Sequence, residues 1–355
     1  MLRTTHNIAF DGMSYNIIMH DIAAAYNGEE LTQETYNALD IAREESQLRV
    51  STEYQNAKEW YVNHFSGLDV ESLPEPDKND SDSYDVFLYS LPLNESDIKE
   101  FCRTKNISTS ALTSAAFALL MRTYTNQHEA LFSTIYHGRK KDSPRIIGMF
   151  VKTLPVYGKW DGNMSVDDFL AGLSEQIQGS RDNDIFSFID VNNICPMNDK
   201  PMFVWQGNAR NVAEICGKPA REEMFDRNFT VAPMLAELMS VPAGLSMRIE
   251  YNSGKYSREF ISQMSEAYEN IPRQLMAKTF LHEIEPCPEG SDALKLLDTF
   301  NENSNPYDDS QTMVSLLRKS ARENSERTAV IFKEKRYTYK QLDEISEKIA
   351  YKCYC

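Results

Sequence analysis

Residues 108–139, STSALTSAAFALLMRTYTNQHEALFSTIYHGR, carry the pattern that decides the fold. Ser108 or Thr109 can cap a helix that is apolar nearly all round, and such a helix is expected to be buried. A strand-like stretch, residues 130–136, follows, and Gly138-Arg139 comes soon after it. A buried helix that leads into a strand predicts a helix layer covering a sheet. We expect Gly138-Arg139 to have a structural role at the end of that strand.

The same alternation extends along the chain in both directions. Upstream, residues 86–93 are typical of a strand, and Asn94 can cap a helix that runs to about residue 105. Downstream, the patterns predict strands over 150–156, 202–206 and 245–251, and helices over 166–178 and 257–278. Strands that alternate with long helices indicate an α/β layer architecture.

The N-terminal segment is predicted to be extended over residues 4–10 and to turn at Asp11-Gly12 into a helix that Ser14 caps. Asn27-Gly28 is expected to end this helix. A second helical region covers residues 32–65. Its core candidates are Tyr36, Leu39, Trp60, Tyr61 and Phe65.

Two stretches change in composition. Residues 69–85 hold seven acidic residues, two prolines and one lysine, which predicts a solvated linker. Residues 287–312 are polar and contain Pro, Gly and Asn, which predicts a second linker around one short helix. Beyond it the patterns predict a helix over 313–321, a strand over 328–332, a short strand near 336–339 and a final helix that Thr338 and Gln341 can cap.

Composition and charge exclude several classes of function. Of 355 residues 41% are hydrophobic, enough for a sizeable core, and the formal charge of −16 disfavours nucleic acid and anionic membrane surfaces as partners. No stretch approaches the ~20 apolar residues of a membrane span, and the N-terminus lacks the pattern of a signal peptide, so we expect a cytoplasmic protein. The six scattered cysteines predict reduced thiols and no zinc site.

Five of the six histidines lie in ordinary contexts and are expected to be structural: His20, His64, His128, His137 and His282. The sixth, His6, begins the stretch HNIAFDG (residues 6–12). It places an imidazole, the carboxylate of Asp11 and a glycine turn within seven residues. The carboxylate could hold the backbone geometry, and Gly12 could permit close approach of the chain or of a substrate. This corner is therefore the candidate active site.

The stretch at residues 6–12 resembles the HHxxxDG signature of nonribosomal peptide synthetase condensation domains. WYVNHFSGL (60–68), residues 108–139 and IGMFVKTLPV (147–156) resemble further segments of the family in the same order. In the last of these, Lys152 replaces an asparagine, and we expect a solvated cation or one at a tunnel rim. The resemblance covers residues 4–285 nearly continuously. Residues 301–350 resemble the linker to, and the first core motif of, an adenylation domain.

The resemblance implies a chloramphenicol-acetyltransferase-like α/β (α+β) fold of two lobes with a tunnel between them. Residues 1–82 would be the remainder of the first lobe, 83–286 the second lobe, 287–312 a linker and 313–355 the start of an adenylation domain. It implies peptide-bond formation, in which an acceptor amine attacks a donor thioester. The chain itself is expected to bind no cofactor and no metal.

The resemblance also implies the partners and the site residues. Donor and acceptor carrier protein domains would deliver phosphopantetheine arms, and an adenylation domain would belong to the same parent chain. The implied site residues are His6, Asn7 at the position of the second, catalytic histidine, Asp11 with a structural role, and Gly12 beside the reacting centre.

Three departures from the family pattern predict weak or absent activity. Asn7 cannot act as a general base, and His6 would point to the opposite face of an extended strand. The family's domain begins well over a hundred residues upstream of the signature, so we expect an incomplete first lobe without the partner groups of Asp11. The adenylation segment ends after its first motif, so we expect no ATP chemistry from this chain.

Two other functions are compatible with these residues. One is a non-catalytic module that docks carrier proteins, which the asparagine at position 7 favours. The other is a stand-alone CoA-dependent acyltransferase, against which the adenylation-like segment argues. Carrier binding without turnover would favour the first, and acyl transfer from soluble CoA thioesters would favour the second.

Overall fold

Polar side chains set where the helices of this protein begin. The hydroxyl of Ser108 accepts a hydrogen bond from the backbone N–H of Ala111, and the Asn94 side chain accepts one from Ser96. Both caps are those that the sequence predicts. The cap of the first helix is different, because Asp11 rather than Ser14 is the N-cap residue and accepts from the N–H of Ser14.

The computed structural model describes residues 6–34, 36–139, 145–207, 214–215, 218–219, 230–241, 244–286 and 311–354. The chain divides into two units, residues 1–291 and 292–355. The predicted linker at 287–312 lies outside the described residues except for its last two positions. The domain boundaries at 82/83, 286/287 and 312/313 stay predictions.

The helices of the first unit are α1 (Gly12–Tyr26), α2 (Ala38–Leu48), α3 (Thr52–Phe65), α4 (Glu95–Lys105), α5 (Thr109–Thr125), α6 (Val166–Asp182), α7 (Phe188–Asn192) and α8 (Arg258–Ala277). Its strands are β1 (Tyr84–Leu91), β2 (Glu129–Tyr136), β3 (Lys152–Lys159), β4 (Met202–Gly207), β5 (Glu214–Ile215), β6 (Lys218–Pro219), β7 (Met234–Val241) and β8 (Gly244–Asn252). Two short 3-10 turns, Asn7–Ala9 and Leu281–Glu283, complete the elements of this unit's described residues.

Six strands form one mixed sheet in the order β1-β8-β7-β4-β2-β3. β4 pairs in parallel with β2 on one side and with β7 on the other. The remaining pairs of this sheet are antiparallel. Tyr136 at the end of β2 pairs with Lys152 at the start of β3. Residues 136–139 and Lys152 therefore lie at the edge of the sheet where the parallel strands end, which is a common position for binding sites in α/β folds.

Helix α5 forms the centre of the main core, as its uniform hydrophobicity predicts. Residues 111–121 are all buried, and α5 contacts α4, α6 and α8 as well as strands β2 and β4. The ring of Phe117 stacks on that of Phe203 at 4.9 Å between centroids. The mixed α/β layer architecture is thus confirmed, with helices α4, α5, α6 and α8 contributing to one side of this core.

Helix α3 builds a second, smaller core. Tyr61 and Phe65 are fully buried, as predicted, together with Leu131 of β2. The hydroxyl of Tyr61 donates to the carbonyl of Ser180 at 3.0 Å, and this tie anchors α3 to α6. Leu39 was also a core candidate, but its side chain is exposed, so that part of the prediction is wrong.

The acidic stretch between α3 and β1 is a packed connector rather than a free linker. Val70, Ser72 and Pro74 are buried, and the hydroxyl of Ser72 accepts a hydrogen bond from the N–H of Leu131. Pro74 accepts one from the hydroxyl of Tyr256 at 2.8 Å. The acidic side chains between these anchor points give the segment its solvated composition, while its small and apolar residues hold it against the fold.

Strand β7 is absent from the predictions, although it lies between β4 and β8 in the sheet. Its residues, MLAELMSV, are mostly good helix formers. Pairing on both edges and burial of Met234, Ala236 and Leu238 in the core override this local preference.

The second unit contains α9 (Met313–Glu323), a hairpin of β9 (Thr328–Phe332) and β10 (Lys335–Thr338), and α10 (Tyr339–Tyr354). Thr338 and Gln341 form the predicted reciprocal cap. The N–H of Thr338 donates to Oε1 of Gln341 at 3.0 Å, and the N–H of Gln341 donates to the hydroxyl of Thr338 at 3.3 Å.

Candidate active site around Asp11

The segment before α1 is a turn and not the predicted extended strand. Asn7 begins the 3-10 turn Asn7–Ala9. His6 is exposed, and its Nδ1 accepts a hydrogen bond from the N–H of Ile8 at 3.1 Å. Because a 3-10 turn has about three residues per turn, side chains do not alternate between two faces as they do in a strand. Strand geometry therefore does not hold positions 6 and 7 on opposite faces.

Asp11 is the best-anchored residue of the motif. Its Oδ1 accepts hydrogen bonds from the N–H of Ser14 at 2.7 Å and from Nη2 of Arg139 at 2.7 Å. Its Oδ2 accepts from the N–H of Phe150 at 3.1 Å. Only 1% of the Asp11 side chain and 4% of the Arg139 side chain are exposed. The carboxylate thus caps α1 and forms a buried ion pair at the same time.

Ser14 completes the arrangement. Its hydroxyl donates to the carbonyl of Gly148 at 2.9 Å and accepts from the N–H of Gly148 and from Nη2 of Arg139, both at 3.0 Å. Arg139 also donates through Nη1 to the carbonyl of Ile146, and its guanidinium lies 4.6 Å from the ring centroid of Phe150. We call Asp11, Ser14, Arg139, Gly148 and Phe150 the Asp11 cluster.

The Asp11 cluster contradicts one expectation from the sequence. The partner groups of Asp11 were expected to be missing, yet Arg139 and the backbone of Phe150 supply them from within this chain. These contacts join the start of α1 to the end of β2, and the role expected for Asp11 in the site stays a prediction. Sequence reasoning missed the pairing because 128 positions separate the two charged residues.

The electrostatics of the cluster keep Asp11 ionised. Burial alone would raise the pKa of the Asp11 carboxyl, but the hydrogen bonds from the Ser14 backbone, Arg139, the Ser14 hydroxyl and Phe150 outweigh it and lower the pKa below its ordinary value. The pKa of the neighbouring His137 is also lowered, but for a histidine this disfavours the charged form. Desolvation and the cations of Arg181 and Arg139 lower its pKa, which favours the neutral imidazole.

The two glycines of the site differ in what surrounds them. Gly138 has φ +61°, and a Cβ there would overlap the carbonyl oxygen of Phe150, so this position requires glycine. A Cβ on Gly12 would meet no atom of the described residues within 4 Å. Among those residues, the α-carbon of Gly12, in the first turn of α1, therefore faces open space beside the Asp11 cluster.

A cavity of about 200 Å³ adjoins the cluster and includes Arg139 and Phe150 in its wall. Lys152 also lines it, and its Nζ lies 2.6 Å from Oε1 of Glu45 on α2. A quarter of the Lys152 side chain is exposed. Lys152 is thus a partly exposed cation, and its place at a tunnel rim stays a prediction.

The described residues contain no group of three or more His, Cys, Asp and Glu side chains that could hold a metal ion. Cys102 and Cys195 are buried free thiols, and desolvation raises the pKa of both. No helix within the described ranges is long and apolar enough to cross a membrane.

The mixed sheet, the buried helix layer and the anchored Asp11-Gly12 corner belong to a condensation-domain fold. Residues 1–285 match the family model of the condensation domain, and the chain belongs to this family. It is 24% identical over 362 residues to bacitracin synthase 3 of Bacillus licheniformis, a match that covers 97% of this chain and 6% of that protein. The chain thus spans a small fraction of the length of its curated relatives.

Solved structures agree on the fold. The X-domain from teicoplanin biosynthesis, determined in complex with OxyB, superimposes with a TM-score of 0.66 at 16% identity, covering 80% of this chain and 69% of that one. The first condensation domain of the calcium-dependent antibiotic synthetase superimposes with a TM-score of 0.62 at 16% identity, covering 79% and 65%. The predicted chloramphenicol-acetyltransferase-like fold is confirmed.

Proposed function

We propose that this chain is the condensation region of a nonribosomal peptide synthetase, in which an amide bond forms between carrier-tethered acyl and aminoacyl thioesters. The observation that carries the proposal is the Asp11 cluster, which holds the Asp-Gly turn rigidly beside open space at Gly12. A fixed turn of this kind can present a substrate amine and thioester to each other in a defined orientation.

Donor and acceptor carrier domains would bring the two thioesters on phosphopantetheine arms, so the chain would need no cofactor of its own. The match to bacitracin synthase 3 extends past residue 285, where the condensation model ends. This supports the proposal that residues 313–355 begin an adenylation domain of the same synthetase.

Asn7 would limit the rate of this reaction. An asparagine side chain can donate and accept hydrogen bonds but cannot take up a proton near pH 7. General-base assistance is worth about 10²–10⁴ in rate. We therefore propose a condensation site that orients its substrates and lacks the base that would deprotonate the amine.

The decisive experiment compares the chain with its Asn7→His variant, assayed with a donor carrier loaded with one aminoacyl group and an acceptor carrier loaded with another. We expect dipeptide formation to rise at least tenfold. The matched control is Asn63→His, the same substitution at an exposed position of α3, which should leave the rate unchanged. Equal dipeptide yields from Asn7→His and Asn63→His would contradict the proposal that a missing base limits this site. If the same two variants also give equal dipeptide yields when they are made in a synthetase of full family length, a missing base does not limit condensation in that setting either.

A second candidate is a docking module without catalysis. Asn7 favours it, and so does the likeness to an X-domain that was determined as a complex with another protein. Tight binding of loaded carriers, with no dipeptide from either the chain or its Asn7→His variant, would favour docking over condensation.

A further inference from the structure

Helix α2 forms part of the wall of the cavity beside the Asp11 cluster. Its residues Ile41, Glu45 and Leu48 line the cavity, and the rest of the wall includes residues at the end of β2, at the start of β3 and at 184–185. One water needs about 10–15 Å³ by the same volume measure, so the cavity of about 200 Å³ admits a group of several heavy atoms. The position of α2 therefore decides how open this cavity is.

Helix α2 is packed more loosely than α3, which follows it in the chain. None of the residues of α2 is buried, whereas α3 buries Ala57, Tyr61 and Phe65. The connector before α2 is exposed over residues 27–34, and residues 49–50 after it are exposed as well. A helix that buries no side chain gains little stability from burial of apolar surface. Elements of this kind open locally at a low cost in free energy.

Among the described residues, the ion pairs that tie α2 and its flanking residues to the rest of the fold are accessible to solvent. These pairs are Glu45–Lys152 at 2.6 Å, Arg49–Asp190 at 3.8 Å and Glu34–Arg145 at 3.4 Å. Half of the Glu45 side chain and a quarter of the Lys152 side chain are exposed. Exposed ion pairs contribute little stability, and dissolved salt screens them.

The two ends of α2 are held differently. Ala38, its first residue, lies close to Gly148, since a Cβ added to Gly148 would be 3.0 Å from the Cβ of Ala38. Glu45, with its ion pair, is near the other end of the helix. Breaking that pair would let the end that carries Leu48 move away while the end at Ala38 stays in place.

We propose that α2 is a lid over the cavity, which the Glu45–Lys152 ion pair holds closed and which opens when that pair is broken or screened. Arg139 and Phe150 of the Asp11 cluster belong to the wall of the same cavity. The lid would therefore control access to this side of the cluster, and ionic strength would set how often it is open. The inference does not depend on the proposed condensation reaction.

Hydrogen exchange followed by mass spectrometry tests the opening in the full chain. We expect the backbone amides of α2 to exchange at least about tenfold faster than those of α3. Raising NaCl from about 0.02 M to about 0.5 M should speed exchange in α2 and leave α3 unchanged. Lys152→Met should give α2 the high-salt rate already at low salt. The matched control is Lys105→Met, which breaks an equally short ion pair, to Asp167 at 2.6 Å, at the end of α4.

Cysteine labelling tests whether the opening uncovers the cavity. Ile185 lines the cavity and does not belong to α2, so Ile185→Cys places a thiol in its wall. Maleimide modification of that thiol, located by peptide mass spectrometry, should speed up with salt and with Lys152→Met, in parallel with exchange in α2. The buried thiols of Cys102 and Cys195 should stay slow under all conditions. If Lys152→Met does not fold, Glu45→Gln removes the same ion pair and takes its place.

Exchange in α2 as slow as in α3 would overturn the proposal, and so would exchange that neither salt nor loss of the ion pair changes. Faster exchange in α2 without faster labelling of Ile185→Cys would show a helix that frays without uncovering the cavity, and it would overturn the lid as well. Neither measurement involves turnover. A lid that fails these tests leaves the proposed condensation function untouched, and a chain that forms no dipeptide leaves the lid standing.

Discussion

Replacing Asp11 with alanine tests whether the Asp11 cluster holds the fold together as its geometry indicates. The substitution removes the hydrogen bonds that the carboxylate accepts and leaves the Arg139 guanidinium buried without its counter-charge. Removing one partner of a buried ion pair typically costs about 3–5 kcal/mol. The lost helix cap contributes about 1 kcal/mol of stabilisation by itself. We therefore expect the free energy of unfolding to fall by about 3–5 kcal/mol.

Urea denaturation followed by circular dichroism measures this change, with Asn94→Ala as the matched control. Asn94 caps α4 at the surface, so its replacement removes a cap without stranding a charge, and it should cost only about 1 kcal/mol. In the double variant Asp11→Ala with Arg139→Met the stranded charge is gone, and part of the lost stability should return.

The reasoning would be refuted if Asp11→Ala cost no more than Asn94→Ala. It would equally be refuted if the double variant lost as much stability as Asp11→Ala and Arg139→Met lose separately when their losses are added, because the two side chains would then act independently.

Three further outcomes follow from the same geometry. Gly138→Ala should destabilise the protein by about 1–3 kcal/mol in thermal or urea unfolding, because it forces a side chain into a left-handed conformation against the Phe150 carbonyl; Gly172→Ala, where a Cβ meets nothing on helix α6, should be neutral or stabilising. The pKa of Asp11 is lowered in the folded state, so the unfolded chain binds more protons and stability rises with pH. The unaltered chain should therefore be more stable than Asp11→Asn above about pH 4, the usual carboxyl value. This advantage should decline as the pH falls through the folded pKa, which urea titrations at a series of acidic pH values would measure. Hydrogen bonding to Glu44 raises the pKa of Tyr36 to about 12, so Glu44→Gln should return it toward 10. A phenolate absorbance titration measures this, with Tyr36→Phe as the reference that identifies the signal of Tyr36. An unchanged titration would show that Glu44 does not bond the Tyr36 hydroxyl.

Local sequence patterns predicted most of the elements that surround the site. The caps at Asn94 and Ser108, the buried helix α5 and the end of α1 at Asn27 depend on interactions within a few residues, and each lies where expected. Strand β7 was missed because pairing with β4 and β8, and not its own composition, makes it a strand.

The site itself was predictable only in part. The resemblance drew attention to Asp11 and Gly12, and the Gly-Arg after β2 was expected to be structural. Nothing local to either segment indicates that Arg139 reaches Asp11, or that the hydroxyl of Ser14 bonds the backbone of Gly148. The same limit applies to the segment at Asn7, which was predicted to be extended and instead forms the 3-10 turn Asn7–Ala9 ahead of α1.

The Asp11 cluster also defines which pieces of this protein can be exchanged with a relative. The composition of the acidic connector at residues 69–83 suggests a boundary at which two parent proteins could be joined, but it separates Asp11 and Ser14 on one side from Arg139, Gly148 and Phe150 on the other. A chimaera joined there would pair a carboxylate from one parent with a guanidinium from the other. The connector also makes its own contact across the junction, since the hydroxyl of Ser72 accepts a hydrogen bond from the N–H of Leu131. Natural or designed recombination would therefore keep the Asp11 cluster intact only if residues 11–150 were transferred together from one parent.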